Sequence, residues 1–271
     1  MSLRTPAFLL AGLLCAALLS AATPAQAAKC GGDFNSFIAE FSREAQAAGI
    51  SGQAISSAFA GIIHDPKVMD FDRRQRGTFR KSFEDYAATR VTAPRIKRAK
   101  AMMARHADLL SRIEQRFGVP RTLIVAIWTM ETDNGGDMGK LPVIRTIATL
   151  AHDCRRTELF QRELMAALQI VQRGDMAPGE MLGAYAGEIG QTQFLPSSYV
   201  KYGIDYDGNG RVDLRRSVPD VLASTANLLK VNGWQAGAPF VMGTANFEVM
   251  REWNRSELYR RTLVHFAEQL R

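Results

Sequence analysis

Cysteine and histidine are scarce, at three and four residues in a chain of 271. So few leave no ligand set for a zinc site and no framework for a disulfide-stapled miniature fold. No internal repeat is present, which excludes a solenoid, and no low-complexity block interrupts the chain. Lysine and arginine never form a run interleaved with aromatics, so no nucleic-acid face is expected. Alternating strand patterns are sparse. The one long apolar stretch, Ala7 to Ala22, is short for a membrane span.

That stretch lies within "MSLRTPAFLLAGLLCAALLSAATPAQA", with Arg4 before it and Ala25-Gln26-Ala27 after it. A basic start, an apolar middle and an A-x-A end make a secretory signal peptide, expected over 1–27. The chain is therefore expected to be periplasmic, without a membrane anchor. About 244 residues remain, enough for one well-cored domain. The formal charge is +7, and loss of Arg4 leaves +6, a balance suited to an acidic polymer or a membrane surface. Cys30 and Cys154 remain in the mature part, and an oxidising compartment favours a bridge between them.

The texture is mainly helical. Phe34, Phe37, Ile38 and Phe41 recur at helical spacing up to Gly49. "RIKRAKAMMARHADLLSRIEQRFG" reads as one long amphipathic helix closed by Gly118. After Pro120, "RTLIVAIWTME" is apolar on nearly every side, as a buried helix is. Further helices are expected at "RTELFQRELMAALQIVQRG", "SVPDVLASTANLLKVNGW" and "NFEVMREWNRSELYRRTLVHFAEQL", with a loop-rich stretch from Gly183 to Gly210.

Three motifs carry chemistry. Glu131 closes the buried helix and is followed by Thr132-Asp133-Asn134-Gly135-Gly136, a stop. It is either a solvated helix end or a general acid. Apolar neighbours and the negative end of the helix dipole both disfavour its charged form, as a general acid needs. Asp133, two residues on, faces elsewhere. In "GAYAGEIGQTQFLPSSY", glycines permit close backbone approach, Gly190 among them. Gln191 and Gln193 offer amides for sugar hydroxyl and acetamido groups. The other reading is an ordinary Gly-rich loop. "DYDGNGRVD" matches the first half of an EF-hand loop, with Asp205, Asp207 and Asn209 at positions one, three and five and the Arg211 carbonyl at seven. Position twelve is Arg216 where a bidentate glutamate is needed. Asp220 is the available replacement, and the alternative is a polar turn.

In order along the chain, "VPRTLIVAIWTMETDNG", "TIATLAHDCRRTELFQRELMAAL", "AGEIGQTQFLPSSY", "DYDGNGRVDL" and "SVPDVLASTANLLKVNGW" resemble the membrane-bound lytic transglycosylase B family of peptidoglycan-cleaving enzymes. The resemblance runs from about Phe71 to Tyr259. It implies a mainly α, lysozyme-like α+β fold in one domain, 28–271. A helical part, 28–118, would pack with the C-terminal helix, 245–271, around a catalytic core at 119–244. It further implies cleavage of the MurNAc–GlcNAc β-1,4 bond by a lone glutamate, Glu131, with the MurNAc C6 hydroxyl as nucleophile and a 1,6-anhydro end as product. No catalytic cofactor is expected; a structural calcium would sit on Asp205, Asp207, Asn209, Arg211 and Asp220. Tyr86, Gln193, Asn254 and Tyr259 match substrate-binding places, and Gly190 and Glu188 belong to the same cleft. The partner is the glycan strand, and the protein is expected to be a monomer. Departures are Ala184 for serine, Leu228 and Trp253 for tyrosines, and Glu188 where a small residue is usual. A hydrolase that uses Glu188 to hold water, and a non-catalytic wall-binding protein, are the alternative readings. A calcium-regulated binding module is a weaker third.

Overall fold

The computed structural model describes residues 28–74 and 82–271, and the expected signal peptide lies outside these. The described residues are mainly helical: α1 (Phe34–Ala47), α2 (Gly52–Phe59), α3 (Pro66–Arg74), α4 (Phe83–Arg90), α5 (Ala93–Arg105), α6 (Ala107–Phe117) and α7 (Arg121–Thr132), followed by α8 (Val143–His152), α9 (Thr157–Arg173), α10 (Pro196–Tyr202), α11 (Val218–Val231), α12 (Ala245–Val249) and α13 (Glu257–Gln269). Side chains of Asp33, Ser51, Ser82, Ser217, Thr244 and Ser256 cap helix N-termini by accepting backbone N–H bonds. Such caps satisfy donors that the first helical turn leaves open. No described helix is long and apolar enough to cross a membrane.

The core is built around α7, whose residues Leu123 to Met130 are all buried. Helices α5, α6, α11 and α13 pack on it, which is why its sequence is apolar on every side. Trp128 is its largest fully buried side chain, and the indole N–H donates to the Gln191 side chain at 2.9 Å. The strands Leu141–Pro142 and Leu182–Gly183 pair antiparallel, with Leu141 opposite Gly183. Isolated bridges from Gly183 to Ile189 and from Ile189 to Phe194 fold the following loop back on itself. Gly183 is obligatory here, because a Cβ would drive into the Glu188 carbonyl.

Two expected helices are broken. The long helix over 95–118 divides at His106, whose backbone leaves the helical region (φ −112°, ψ 27°). Its halves have different partners: α5 packs mainly on α7, and α6 packs mainly on α11. The His106 ring meets Trp128 edge-on at 5.9 Å. The C-terminal stretch likewise breaks between α12 and α13. A 3-10 turn, Met250–Glu252, leads into a bend where Asn254 Oδ1 accepts from the Ser256 N–H at 2.9 Å.

Cys30 and Cys154, 124 positions apart in sequence, form a disulfide with Cα atoms 5.2 Å apart. Closing so long a loop restrains the unfolded chain by about 4–5 kcal/mol in the chain-entropy model. The same end is held by Ala28, whose N–H donates to Glu44 at 3.0 Å and whose carbonyl accepts from Gln161 at 2.6 Å.

Candidate active site

Helix α7 ends where its sequence stops being apolar. Asp133 and Asn134 take left-handed backbone conformations (φ 53° and 63°), and their N–H groups return to the carbonyls of Thr129 and Trp128. Short polar side chains tolerate that region of backbone space. The stop leaves Glu131 in the last turn, half-buried and lining a cleft of about 350 Å³. Asp133 turns away, to Arg95 at 2.7 Å and Arg98 at 3.2 Å.

Two donors from the C-terminal segment converge on one oxygen of Glu131. The Trp253 indole N–H donates to Oε1 at 3.0 Å, and the Tyr259 hydroxyl donates to the same atom. Among the described residues Oε2 accepts no such bond, which makes it the oxygen placed to carry a transferable proton. Burial pushes the carboxyl above the ordinary carboxylate range. The bonds from Tyr259 and Trp253 pull it down, the charge of Glu188 pushes up, and that of Arg90 pulls down. The helix C-terminus adds to the rise. Burial and the adjacent Glu131 hold the Tyr259 phenol well above its usual value, so it remains a donor. A carboxyl raised in this way keeps its proton to higher pH than an exposed one, as a general acid needs.

The other expected residues divide. Gln193, Glu188 and Asn254 line the cleft with Glu131. Gln193 stands in the left-handed region (φ 56°) and its amide donates to the carbonyls of Gly190 and Met138 at 2.8 and 3.3 Å. Tyr259 is buried and reaches the site through its hydroxyl. Gly190 is not among the lining residues. It lets the backbone pass the Leu214 carbonyl, which a Cβ would strike, so its part is in the wall's construction. Gln191 is also structural, held beneath the floor between the Trp128 indole and the Arg215 carbonyl. Tyr86 is 8% exposed, lies under the Arg90 guanidinium and is not in the cleft lining, so it presents no open ring for a sugar to stack on. Trp253, noted in the sequence only as a departure, is the residue missed. The bend that breaks the C-terminal helix brings it to Glu131, and no local pattern announces that contact.

In the acidic loop, carboxylate oxygens of Asp205, Asp207 and Asp220 lie within 4.8 Å of one another. Asp205 accepts backbone N–H bonds from Gly208, Asn209 and Gly210, which hold its carboxyl below the usual range. Asp220 is fully buried and accepts from Tyr206, Asp207 and Asp213. Asn209 Oδ1 accepts from the Arg211 N–H at 3.2 Å. Arg216, at position twelve, pairs with Glu180 at 2.9 Å. The oxygen-only donor set, with a buried carboxylate lacking a cation partner among the described residues, fits a hard divalent ion.

The chain is similar to known proteins over most of its length. It is 35% identical over 148 residues to the membrane-bound lytic murein transglycosylase B of Escherichia coli, covering 54% of this chain and 41% of that protein. The match thus spans less than half the length of that relative. The structure of SltB3 from Pseudomonas aeruginosa in complex with NAG-anhNAM-pentapeptide superposes with a TM-score of 0.82 at 30% identity, covering 89% of this chain and 80% of that one. The Escherichia coli lytic transglycosylase Slt35 in complex with calcium shares the fold, with a TM-score of 0.77 at 23% identity and coverage of 90% and 96%. The expected mainly helical, lysozyme-like fold is therefore the observed one. Residues 33–244 match the transglycosylase SLT domain, and it is to this family of transglycosylase domains that the chain belongs.

Proposed function

We propose that this protein is a peptidoglycan lytic transglycosylase. It cleaves the MurNAc–GlcNAc β-1,4 bond and leaves a 1,6-anhydro-MurNAc end, with Glu131 as the sole acid and base. The observation that carries the reading is the setting of Glu131: a buried carboxyl at a helix end, with two donors on one oxygen and the other oxygen free. Protonated Glu131 gives its proton to the glycosidic oxygen as the C1–O bond breaks. The resulting carboxylate is met by the Tyr259 and Trp253 donors already in place, so little reorganisation is needed. It then takes the proton of the MurNAc C6 hydroxyl, whose oxygen closes on C1. An intramolecular nucleophile has a high effective concentration, so no second side chain need activate water.

Gln193 and Asn254, in the cleft wall, orient the sugar through their amides, and Tyr259 acts through Glu131. Helices α4 and α13 pack together, and Tyr86, buried in α4 and next to Tyr259, acts in that packing. Residues 28–271 act as one catalytic domain, a monomer in the periplasm, on glycan strands. Calcium, held by Asp205, Asp207, Asn209, the Arg211 carbonyl and Asp220, is a structural staple that takes no part in the proton chemistry.

Glu188 supplies the one specific ground for a second reading, in which this second carboxylate activates water and the enzyme is a hydrolase. Digestion of purified peptidoglycan with mass analysis of the released ends separates the two. Anhydro ends are expected; products heavier by one water overturn the lyase reading.

A further inference from the structure

We infer that Glu188 is a positioning residue for the proton of Glu131: a negative charge fixed in the wall of the same cleft keeps Glu131 in its acid form to higher pH than burial alone would. The inference rests on the reading of Glu131 as the acid, and extends it.

The place of Glu188 is rigid. Its carbonyl accepts from the Ala184 N–H at 3.0 Å, and the next residue, Ile189, exchanges two backbone bonds with Phe194, at 2.7 and 2.9 Å. Its own Oε2 accepts from the Ala186 N–H at 3.1 Å. Burial raises this carboxyl too, while the backbone N–H bonds it accepts and the charge of Arg156 pull it back toward the anion. Three carboxylates, Glu131, Glu188 and Glu252, line the cleft, and no lysine or arginine does, although the chain carries +7 overall. Among the described residues no cation lies within 4 Å of Glu131 or Glu188. The cation that acts on Glu188 is Arg156, at the start of α9, which is engaged by Asp72 and stacked on Phe160.

The groups that face Glu131 from each packed element are few. Helix α13 brings Tyr259, the 3-10 turn and the bend before it bring Glu252 and Trp253, and α4 brings Arg90, with Tyr86 beside Tyr259. Arg95 and Arg98 of α5 are spent on Asp133. His106, at the junction with α6, packs on Trp128, and α11 contributes the apolar Leu228. Glu188 is therefore the fixed charge of like sign whose side chain is built into the wall. Burial is the largest influence raising Glu131, and the charge of Glu188 adds to it. The two carboxyls titrate as a pair; the backbone N–H bonds on Glu188 favour it as the first to ionise, and the proton then left on Glu131 is held more tightly. A small residue at this place, as the family resemblance leads one to expect, would lack that effect.

The sign follows. Removing the charge of Glu188 lets Glu131 lose its proton at lower pH, so the alkaline limb of the rate profile moves toward acid. The test is the pH dependence of kcat/KM for release of anhydro ends by the full mature chain and by Glu188→Gln, Glu188→Ala and Glu188→Asp. Melting curves establish which variants are folded. In whichever neutral variant folds, the limb should move down by roughly 0.5–1 pH unit, whatever the height of its plateau. Glu188→Asp, which keeps the charge, should leave the limb near its original place. A merely structural role lowers the rate at every pH without moving the limb, and that result overturns the inference. So does loss of all activity in a folded Glu188→Gln whose Glu131 carboxyl, followed by carbon-13 NMR, titrates as before. If Glu131→Gln still releases anhydro ends, it is the underlying reading of the acid that has failed.

Discussion

Two groups of carboxylates, one at the end of α7 and one in the loop from Asp205 to Asp220, show how setting decides what the same functional group does. Asp205 accepts three backbone N–H bonds from residues no more than five positions away, and those bonds hold it ionised. Glu131 accepts from side chains 122 and 128 positions away, in a site where burial outweighs them. Local amide donors make a permanent anion, fit for a cation. A half-buried carboxyl closed round by distant parts of the chain is held toward its acid form, as the proposed proton transfer requires. The difference lies in solvation and in the range of the contacts, since the carboxyl chemistry is the same.

The largest effect should come from breaking the acid. Glu131→Gln keeps shape and accepts the Tyr259 and Trp253 bonds, but has no proton to deliver. Turnover should fall by on the order of 10²–10⁴ or more, with folding and binding of wall fragments retained. Release of anhydro ends at a near-normal rate would end the comparison, because the buried carboxyl would then be no more than a structural group.

Tyr259→Phe sharpens it. The substitution removes a charge-assisted donor to the carboxylate that forms as the bond breaks, worth about 1.5–3 kcal/mol, so a loss of roughly 10–100-fold is expected. Because this donor lowers the affinity of Glu131 for its proton, its loss should move the alkaline limb up, opposite to the shift expected for Glu188→Gln. A limb that moves down would show that Tyr259 acts otherwise than by donating to Glu131.

The contrast also explains what was legible in the sequence. The acidic loop is a local pattern, and its aspartates stand where their spacing put them. Glu131 was legible as the end of an all-round apolar helix followed by stop residues. Its partners were not, because they belong to a turn whose existence depends on tertiary packing. The periodicity over 246–270 reads as continuous helix and gives no sign of the bend at Trp253 to Ser256. The break at His106 is hidden for the same reason: α5 and α6 each keep an apolar stripe, and only their different partners separate them. Gln191 misled, since an amide in a glycine-rich loop reads as substrate-facing until Trp128 is seen to occupy it.

Calcium tests the other half of the comparison. If the loop's anions are made for a cation, binding to the folded state alone raises stability by RT ln(1 + [L]/Kd), about 2.7 kcal/mol at a hundredfold excess over Kd. In a domain of this size each kcal/mol moves Tm by about 2–4 °C. Tm should therefore climb with added calcium and fall with chelator, and Asp205→Ala should abolish the response while leaving the acid chemistry in place. A melting curve indifferent to calcium would make the loop a turn held by its own amides.

The smallest effect belongs to Asp133, a carboxylate two residues from Glu131 on the same helix end. Its side chain is 44% exposed and paired with Arg95 and Arg98. The pair with Arg98 is exposed, and such pairs contribute about 0–1 kcal/mol; Arg95 is largely buried and keeps its bonds to the Arg90 and Thr129 carbonyls when the charge is removed. Its backbone is left-handed (φ 53°), a conformation asparagine adopts readily, so Asp133→Asn keeps the helix stop while removing the charge. The rate should stay within about twofold of that of the unmodified protein and the pH limb in place, with a Tm change of no more than a few degrees. Because Asp133 stands closer in sequence to Glu131 than Glu188 does, the pair of substitutions separates nearness along the chain from a shared cleft. A displaced limb in Asp133→Asn would mean that charge reaches Glu131 through the helix end as well as across the cleft, and the fixed charge of Glu188 would lose its special standing.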